Sequence, residues 1–421
     1  MTPQPALPRP GLPGVPGGPG RLDPGPLDAA DPLASFRDRF AVPDPDLVYL
    51  DGNSLGRAPR STLARVAGVA GDEWAGELVR AWDHWLDLPL SAGDVLAAGV
   101  LGAAPGTVAV TDSTTVNLYR VASAALDDLP GRGAVVAARD DFPTDRYVLE
   151  GLATRRGLRV RWLDGDPVLG PSPADVAAAV NDDTALVLLS LVNYRTAAIA
   201  DLEGVEAVAR RAGAHVLWDL SHAAGAIPVD LAARDVGLAV GCTYKYLNGG
   251  PGSPAFLYVA PRLQGRMRPP VDGWFAQADQ FDMRPVFRRR DGIAGWLVGT
   301  PPVLSMAGVL EGAALVAEAG IEAIRAKSVA LTEFTIALLD AELAPLGCTL
   351  ASPRKAERRG GHVAIRHPDA KALTAALVAR GVVPDYREPD VVRFGLSPLT
   401  TSFADVRRGV DALRELLLVG R

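Results

Sequence analysis

Short apolar runs recur along residues 100–260 and are separated by stretches with a helical pattern. The runs are continuous rather than alternating, which is typical of strands whose two faces are both covered by helices. The connecting helices are clearest in residues 114–129, 172–181 and 201–213. Strands that alternate with helices predict an α/β fold with a mostly parallel, seven-stranded sheet flanked by helices. The predicted strands are 107–111, 134–138, 158–163, 185–192, 215–220, 238–244 and 255–260.

The pattern changes near residue 305. A long helical stretch, residues 306–343, leads into the apolar runs "GHVAIRH" and "VVRFGLSP", each followed by a further helix. This predicts a smaller C-terminal α+β domain over residues 306–421, after a large α/β domain over residues 71–305 and an N-terminal segment over residues 31–70. Proline and glycine dominate residues 1–30, so this stretch is predicted to be a disordered tail.

Composition excludes several classes of function. The net charge of −6 argues against a nucleic-acid or anionic-membrane surface as the main partner. No uninterrupted apolar run approaches the length of a membrane span. The two cysteines cannot form a disulfide framework, and the five histidines show no HExxH-type pattern, so a metal site is not expected. A reducing compartment, the cytoplasm, fits this composition.

Polar residues follow several of the predicted strands, at the edge where open α/β sheets bind their ligands. The segment "TDSTTVNLYR" combines hydroxyl groups with the N–H groups of a helix N-terminus, which favours an anion such as phosphate, although an ordinary helix cap has the same composition. The segment "DFPTDR" puts an aromatic residue and an acid in a loop. The segments "SLVNYRT", "DLSH" and "YKY" end the next three strands.

Asp219 and Lys245 both lie at strand ends, 26 residues apart. An acid at the end of an apolar strand is costly unless it has a cationic partner, and a pyridinium nitrogen is such a partner. A lysine in an apolar setting is explained if it loses its charge by desolvation or by forming an imine. A phosphate-binding helix, an aromatic residue, an acid and this lysine together describe a site for pyridoxal 5'-phosphate (PLP).

From about residue 33 to the C-terminus the sequence resembles the kynureninases, PLP enzymes of fold type I. The segments "YLDGNSLG" and "CTYKYLNGGPGSPAFLYV" are close and specific matches. The resemblance implies the PLP-dependent transferase fold of type I. The other matching segments are "DSTTVNLY", "FPTDRY", "VNYRTA", "WDLSHAAGAIPVDL", "GWFA" and "RFGLSPLTTSF".

The resemblance agrees that Lys245 forms the imine and that Asp219 pairs with the pyridinium nitrogen. It also implies that His222 contacts the phenolic oxygen of the ring and that Phe142 stacks on the ring face. For His222 a capping or core histidine is the alternative, and for Phe142 plain core packing. Further cofactor-binding residues implied by the resemblance are Thr114, Thr115, Asp145, Ser190, Tyr244, Trp274 and Thr300.

Arg393 matches the family arginine that binds the α-carboxylate of the amino-acid substrate, a task that suits a guanidinium. Ser54 is predicted to line the ring end of the substrate together with the segment "WDHW", whose tryptophans would otherwise pack on the core. In the family, part of the phosphate-binding set comes from the neighbouring subunit. A homodimer with shared active sites is therefore implied.

The activity implied by the resemblance is the hydrolysis of L-kynurenine to anthranilate and L-alanine in tryptophan catabolism. Tyr244 is a candidate proton donor. Thr300 stands where animal-type members of the family have asparagine, which favours kynurenine over 3-hydroxykynurenine as substrate without deciding between them. One alternative is another alanine-releasing PLP lyase, a cysteine desulfurase or selenocysteine lyase that uses Cys348. The others are a non-catalytic PLP-fold binding module and an enzyme for a differently substituted kynurenine.

Overall fold

The computed structural model describes residues 22–419. Its α-helices are α1 (Gly25–Ala29), α2 (Arg60–Gly68), α3 (Trp82–Trp85), α4 (Leu88–Leu96), α5 (Thr114–Asp128), α6 (Pro143–Arg156), α7 (Pro173–Ala179), α8 (Leu202–Arg211), α9 (Pro261–Gln264), α10 (Val303–Ala319), α11 (Ile321–Leu338), α12 (Ala370–Ala379) and α13 (Phe403–Val419). Its strands are β1 (Val48–Tyr49), β2 (Val108–Val110), β3 (Ala134–Ala138), β4 (Arg159–Leu163), β5 (Thr184–Ser190), β6 (His215–Asp219), β7 (Leu238–Gly241), β8 (Phe256–Val259), β9 (Thr349–Leu350), β10 (His362–Arg366), β11 (Val382–Val383), β12 (Asp385–Arg387) and β13 (Val391–Gly395).

Strands β2 to β8 form the predicted seven-stranded sheet, in the order β2-β8-β7-β6-β5-β3-β4. Strands β3 to β7 run parallel, while β8 is antiparallel to both of its neighbours. Each predicted strand overlaps an observed one, so the mostly parallel α/β sheet is confirmed.

Side chains on both faces of this sheet are buried except along the edge strand β4, as continuous apolar strands require. Val136 and Trp218 belong to one hydrophobic cluster, whereas the adjacent residues Val135 and Leu217 belong to another. Helix α8 begins where the Asp201 carboxylate accepts a hydrogen bond from the N–H of Gly204 at 2.9 Å, a normal N-cap. Helices therefore pack on both faces of the sheet, and they leave the ends of its strands uncovered.

A second, antiparallel sheet with the order β12-β13-β10-β9 lies in the C-terminal part of the chain. The division into domains at residue 305 stays a prediction, and helix α10 spans that position. The predicted helical stretch over residues 306–343 is broken at Gly320, whose φ of 78° is in the region that favours glycine. No single helix in the described part of the chain is long and apolar enough to cross a membrane; Val303–Ala319 and Ile321–Leu346 have that length and composition only together, across an 81° bend.

The prediction of a disordered tail over residues 1–30 is wrong for its last part. Residues 22–30 contain helix α1, and the Asp28 carboxylate accepts hydrogen bonds from the N–H groups of Phe403 and Ala404 at 2.8 and 2.9 Å. An acid at the N-terminus of helix α13 is stabilising because those N–H groups have no partner within the helix. Residues 1–21 lie outside the described part of the chain.

Candidate active site

A cavity of about 600 Å³ opens at the carboxyl edge of the seven-stranded sheet. The loops that follow β2, β3, β5, β6 and β7 all contribute to its walls, as expected where parallel strands end at one edge. Most of the predicted site residues line this one cavity: Thr114, Thr115, Phe142, Asp145, Ser190, Asp219, His222, Tyr244, Lys245 and Thr300.

Lys245 follows strand β7, and its Nζ atom lies 2.8 Å from Nε2 of His222. The ring centroids of Phe142 and Tyr244 are 5.9 and 6.0 Å from the same nitrogen. Burial lowers the pKa of Lys245 below the ordinary value for a lysine. A lysine with a lowered pKa is a better nucleophile and base near neutral pH, which is what covalent catalysis by an amine needs.

His222 is buried on the other side of this contact. Burial, and next the charge of Lys245, hold the pKa of His222 well below its usual range, so the ring is neutral. Its Nδ1 atom has no hydrogen-bond partner among the described residues. The ring of the fully buried His362 packs edge-on against it, with the centroids 5.7 Å apart.

Three carboxyl groups are buried close to one another: Asp141 lies in the loop after β3, Asp145 in the first turn of helix α6, and Asp219 at the end of β6. The N–H of Ser221 donates to Asp219 at 2.7 Å and the N–H of Ser190 donates to Asp141 at 3.1 Å. Burial and the neighbouring acids raise the pKa of Asp145 well above its usual value, and burial raises the pKa of Asp141 to about 7. Asp145 and Asp219 line the cavity, so a cation placed there would be stabilised by them.

Helix α5 points its N-terminus at the same cavity. Thr114 and Thr115 are its first residues, and Ser113 caps it by accepting from the N–H of Val116 at 3.3 Å. The N-terminus of a helix favours anions because its N–H groups lack partners within the helix. The ordinary helix cap, which the sequence analysis gives as the alternative to an anion site, is present at Ser113. Thr114 and Thr115, beside this cap, also line the cavity.

Trp274, Ser54 and Arg393 do not line the cavity. Trp274 is 44% exposed, and its Nε1 donates to the carbonyl oxygen of Gln280 at 3.0 Å. Ser54 lies beside Arg393, whose Nη2 donates to its hydroxyl group at 3.0 Å, and its place at the ring end of the substrate stays a prediction. The tryptophans of the segment "WDHW" line an adjacent apolar cleft that shares Thr300 with the cavity.

The structure adds residues that the sequence did not single out. Tyr194 lines the cavity, stacks edge-on with Phe142 at 5.3 Å, and accepts a hydrogen bond from Arg393 through its carbonyl oxygen. Asp385 pairs with Arg393 from the neighbouring strand. The family-like segment "VNYRTA" contains Tyr194, so that residue could have been found, but no local pattern indicates Asp385 or Asp141.

The other lysines and Cys348 lie outside the cavity. Lys327 is buried in an ion pair with Asp31, with 2.6 Å between Nζ and the carboxylate, while Lys355 and Lys371 are exposed. Cys348 is buried in the hydrophobic core of the C-terminal part, and burial raises its pKa to about 11. A thiol in that state is a poor nucleophile, which disfavours the desulfurase alternative. The described residues hold no group of histidine, cysteine and acidic side chains that could bind a metal ion.

A family profile described as "Kynureninase C-terminal domain" matches residues 324–413. Curated relatives named kynureninase match almost the whole chain. The protein of Pseudomonas fluorescens is 43% identical over 399 residues, which cover 93% of this chain and 94% of the relative. The protein of Burkholderia pseudomallei strain 1106a is 44% identical with the same coverage.

Solved structures with a similar fold include a cysteine desulfurase from Thermococcus onnurineus NA1, with a TM-score of 0.77 and 18% identity over 94% of this chain and 98% of that one. A C-DES variant with glycine covalently linked to its PLP cofactor has a TM-score of 0.79 and 20% identity over 89% of this chain and 100% of that one. At these identities the likeness concerns the fold alone, and it confirms the predicted fold type I.

Proposed function

Since the chain belongs to the kynureninase family, we propose that it hydrolyses L-kynurenine to anthranilate and L-alanine with PLP as cofactor. The observation that carries the proposal is the convergence of Lys245, Asp219 and the N-terminus of helix α5 on one cavity. These are an amine, an acid and an anion site at the carboxyl edge of an α/β sheet. The cytoplasmic location expected from the composition stays a prediction.

The residues of the cavity fit PLP. Nδ1 of His222 and Oδ1 of Asp145 are buried without partners among the described residues, so polar groups of a ligand would satisfy them. The carboxyl groups of Asp145 and Asp219, which line the cavity, suit a protonated ring nitrogen, and the N-terminus of α5 suits a phosphate. When bound, PLP supplies an aldehyde and an electron-withdrawing ring that stabilises negative charge next to the substrate amine.

The cofactor-binding roles follow from these positions. Thr114 and Thr115 would hold the phosphate with the N–H groups of α5, and Phe142 would pack on the ring. Asp219 would face the ring nitrogen, and His222 would donate to an oxygen of the ring. Asp145, Ser190 and Thr300 would complete the walls around the cofactor.

Two residues handle protons during the reaction. Lys245, with its lowered pKa, accepts and returns a proton at Cα of the substrate. Hydrolysis adds water to the side-chain ketone and breaks the bond between Cβ and Cγ, which leaves Cβ in need of a proton. Tyr244, whose pKa burial raises, retains its proton at neutral pH and donates it to Cβ.

Arg393 binds the α-carboxylate of the substrate in this proposal, with Ser54 beside it. The guanidinium lies behind Tyr194, whose carbonyl oxygen accepts one of its hydrogen bonds. The preference between kynurenine and 3-hydroxykynurenine is left to experiment, since Thr300 alone does not determine it.

The test is a comparison of two substrates. Purified protein with PLP is incubated with L-kynurenine, and anthranilate is followed by its fluorescence, with 3-hydroxykynurenine in parallel. We expect anthranilate at a turnover of about 1–10³ s⁻¹, the usual range for enzymes. A normal PLP absorption band without product from either compound would leave the cofactor site intact and refute the proposed reaction.

We also propose a homodimer in which Trp274 of one subunit contributes to the cavity of the other. Its half-exposed position outside its own cavity supports this. Lys245→Ala and Trp274→Ala chains, each impaired alone, should recover activity when co-expressed, because a mixed dimer contains one site with neither change. The control pair is Lys245→Ala with His222→Ala, two residues of the same cavity, which should recover nothing. Equal results from the two pairs would contradict a shared site.

A further inference from the structure

Arg393 is a fully buried cation in the middle of strand β13. Asp385 lies directly opposite it on the antiparallel strand β12. Nε of Arg393 donates to Oδ1 of Asp385 at 2.8 Å, and Nη2 donates to the other carboxylate oxygen. Two parallel hydrogen bonds to one carboxylate fix the plane of a guanidinium as well as its position.

Of the remaining N–H groups of Arg393, some have hydrogen-bond acceptors in the described part of the chain and one has none. Nη2 also donates to the hydroxyl group of Ser54, and Nη1 donates to the carbonyl oxygen of Tyr194. A guanidinium has five N–H groups. The second N–H of Nη1 has no acceptor among the described residues, and it belongs to the nitrogen that contacts Tyr194, a residue of the cavity wall.

We propose that Asp385 is a positioning residue that holds Arg393 by its Nε and Nη2 edge and so presents Nη1 to the α-carboxylate of the substrate. The inference rests on the proposed function, in which Arg393 binds that carboxylate. Asp385 acts through Arg393 and does not itself touch the substrate.

The charges around the pair support this role. Arg387, on the same strand as Asp385, lies 2.7 Å from the same carboxylate. Without the charge of Asp385, the guanidinium groups of Arg387 and Arg393 would lie close together, and Asp51 would be the remaining acid that acts on Arg387. Loss of the Asp385 charge therefore removes the acid that fixes the orientation of Arg393 and leaves the guanidinium free to turn toward Asp51.

The test compares two ligands of the PLP-loaded protein. L-Alanine carries an amine and a carboxylate, whereas L-alaninamide has the amine without the carboxylate, and both are titrated through the cofactor absorbance. Asp385→Asn, which keeps the shape but not the charge, should weaken L-alanine binding at least about tenfold, since misplaced groups commonly cost that much. Binding of L-alaninamide should stay within about twofold. Equal weakening of both ligands would overturn the proposal.

A double-mutant cycle separates positioning from a structural effect. In an Arg393→Gln background, Asp385→Asn should change L-alanine binding little, because the residue through which it acts is gone. The same loss in both backgrounds would overturn the proposal. If Asp385→Asn fails to fold, as judged by circular dichroism, Asp385→Glu replaces it in both titrations, and it should weaken L-alanine binding alone.

Asp390→Asn is the matched control. Asp390 pairs with Arg366 at 3.2 Å at the edge of the same sheet, and both side chains are partly exposed. It should bind both ligands like the unchanged protein. Because these titrations do not involve the aromatic substrate, a protein that forms no anthranilate but follows this pattern would refute the proposed reaction and retain the role of Asp385.

Discussion

Replacing Lys245 with alanine is expected to lower kcat for L-kynurenine by at least about 10⁴-fold, because in the proposed function the change removes both the amine that would bind the cofactor and the base that would move protons at Cα. Nζ of this lysine is the amine that faces the cavity, 2.8 Å from His222. The measurement is anthranilate formation by the PLP-loaded variant, with circular dichroism to check that it is folded.

Lys355→Ala is the matched control for this change. Lys355 is exposed and lies away from the cavity, so its variant should keep the kcat of the unchanged protein. A Lys245→Ala protein with undiminished turnover would show that another group supplies the amine. Similar losses in both variants would point to a general effect on the protein and not to chemistry.

The second large effect is expected from Asp219→Asn. The amide keeps the shape and still accepts the hydrogen bond from the N–H of Ser221, so the local structure is retained. The acidic group that lines the cavity is lost, and in the proposed function this is the group that would keep the ring nitrogen of the cofactor protonated. We expect kcat to fall about 10²–10³-fold, as when other preorganised electrostatic groups are removed.

Glu206→Gln provides the comparison for Asp219. Glu206 is also a buried acid beside strand β6: it accepts from Nε1 of Trp218 at 3.0 Å, and burial raises its pKa to about 7. It lies outside the cavity, so glutamine, which can still accept from Trp218, should leave kcat unchanged. Undiminished kcat in Asp219→Asn, or equal losses in both variants, would contradict the assigned role.

The strand ends could be predicted because their signals are local. Asp219 and Lys245 are 26 residues apart in the chain, yet β6 and β7 are neighbouring parallel strands, so the residues that follow them lie at one edge. Continuous apolar runs mark such strands, and the end of each run marks where the polar residue emerges. The same reasoning placed the segments "TDSTTVNLYR" and "DFPTDR" at that edge, and residues of both line the cavity.

Other features could not be predicted, because they depend on contacts between segments that are distant in the sequence or between subunits. The segment around Asp28 is rich in proline and glycine and was expected to be disordered, but a distant helix, α13, provides unpartnered N–H groups for its carboxylate. Trp274 matches a cofactor-binding position of the family, yet it does not line the cavity of its own chain. Whether a neighbouring subunit uses it depends on an assembly that one chain's pattern does not encode.

The pattern of the chain was sufficient for the α/β class and for the edge at which the site forms, since hydrophobic periodicity and strand order act through near neighbours. Most of the individual residues around that edge were implied by the resemblance to the kynureninases. The residues that surround Arg393 could be identified only from the tertiary structure. Its partners Ser54, Tyr194 and Asp385 come from three separate segments, and the contact with Asp385 exists only because β12 and β13 pair in one register. Pairing between distant strands is a property of the whole fold, and it leaves no periodic signal around any one of these residues.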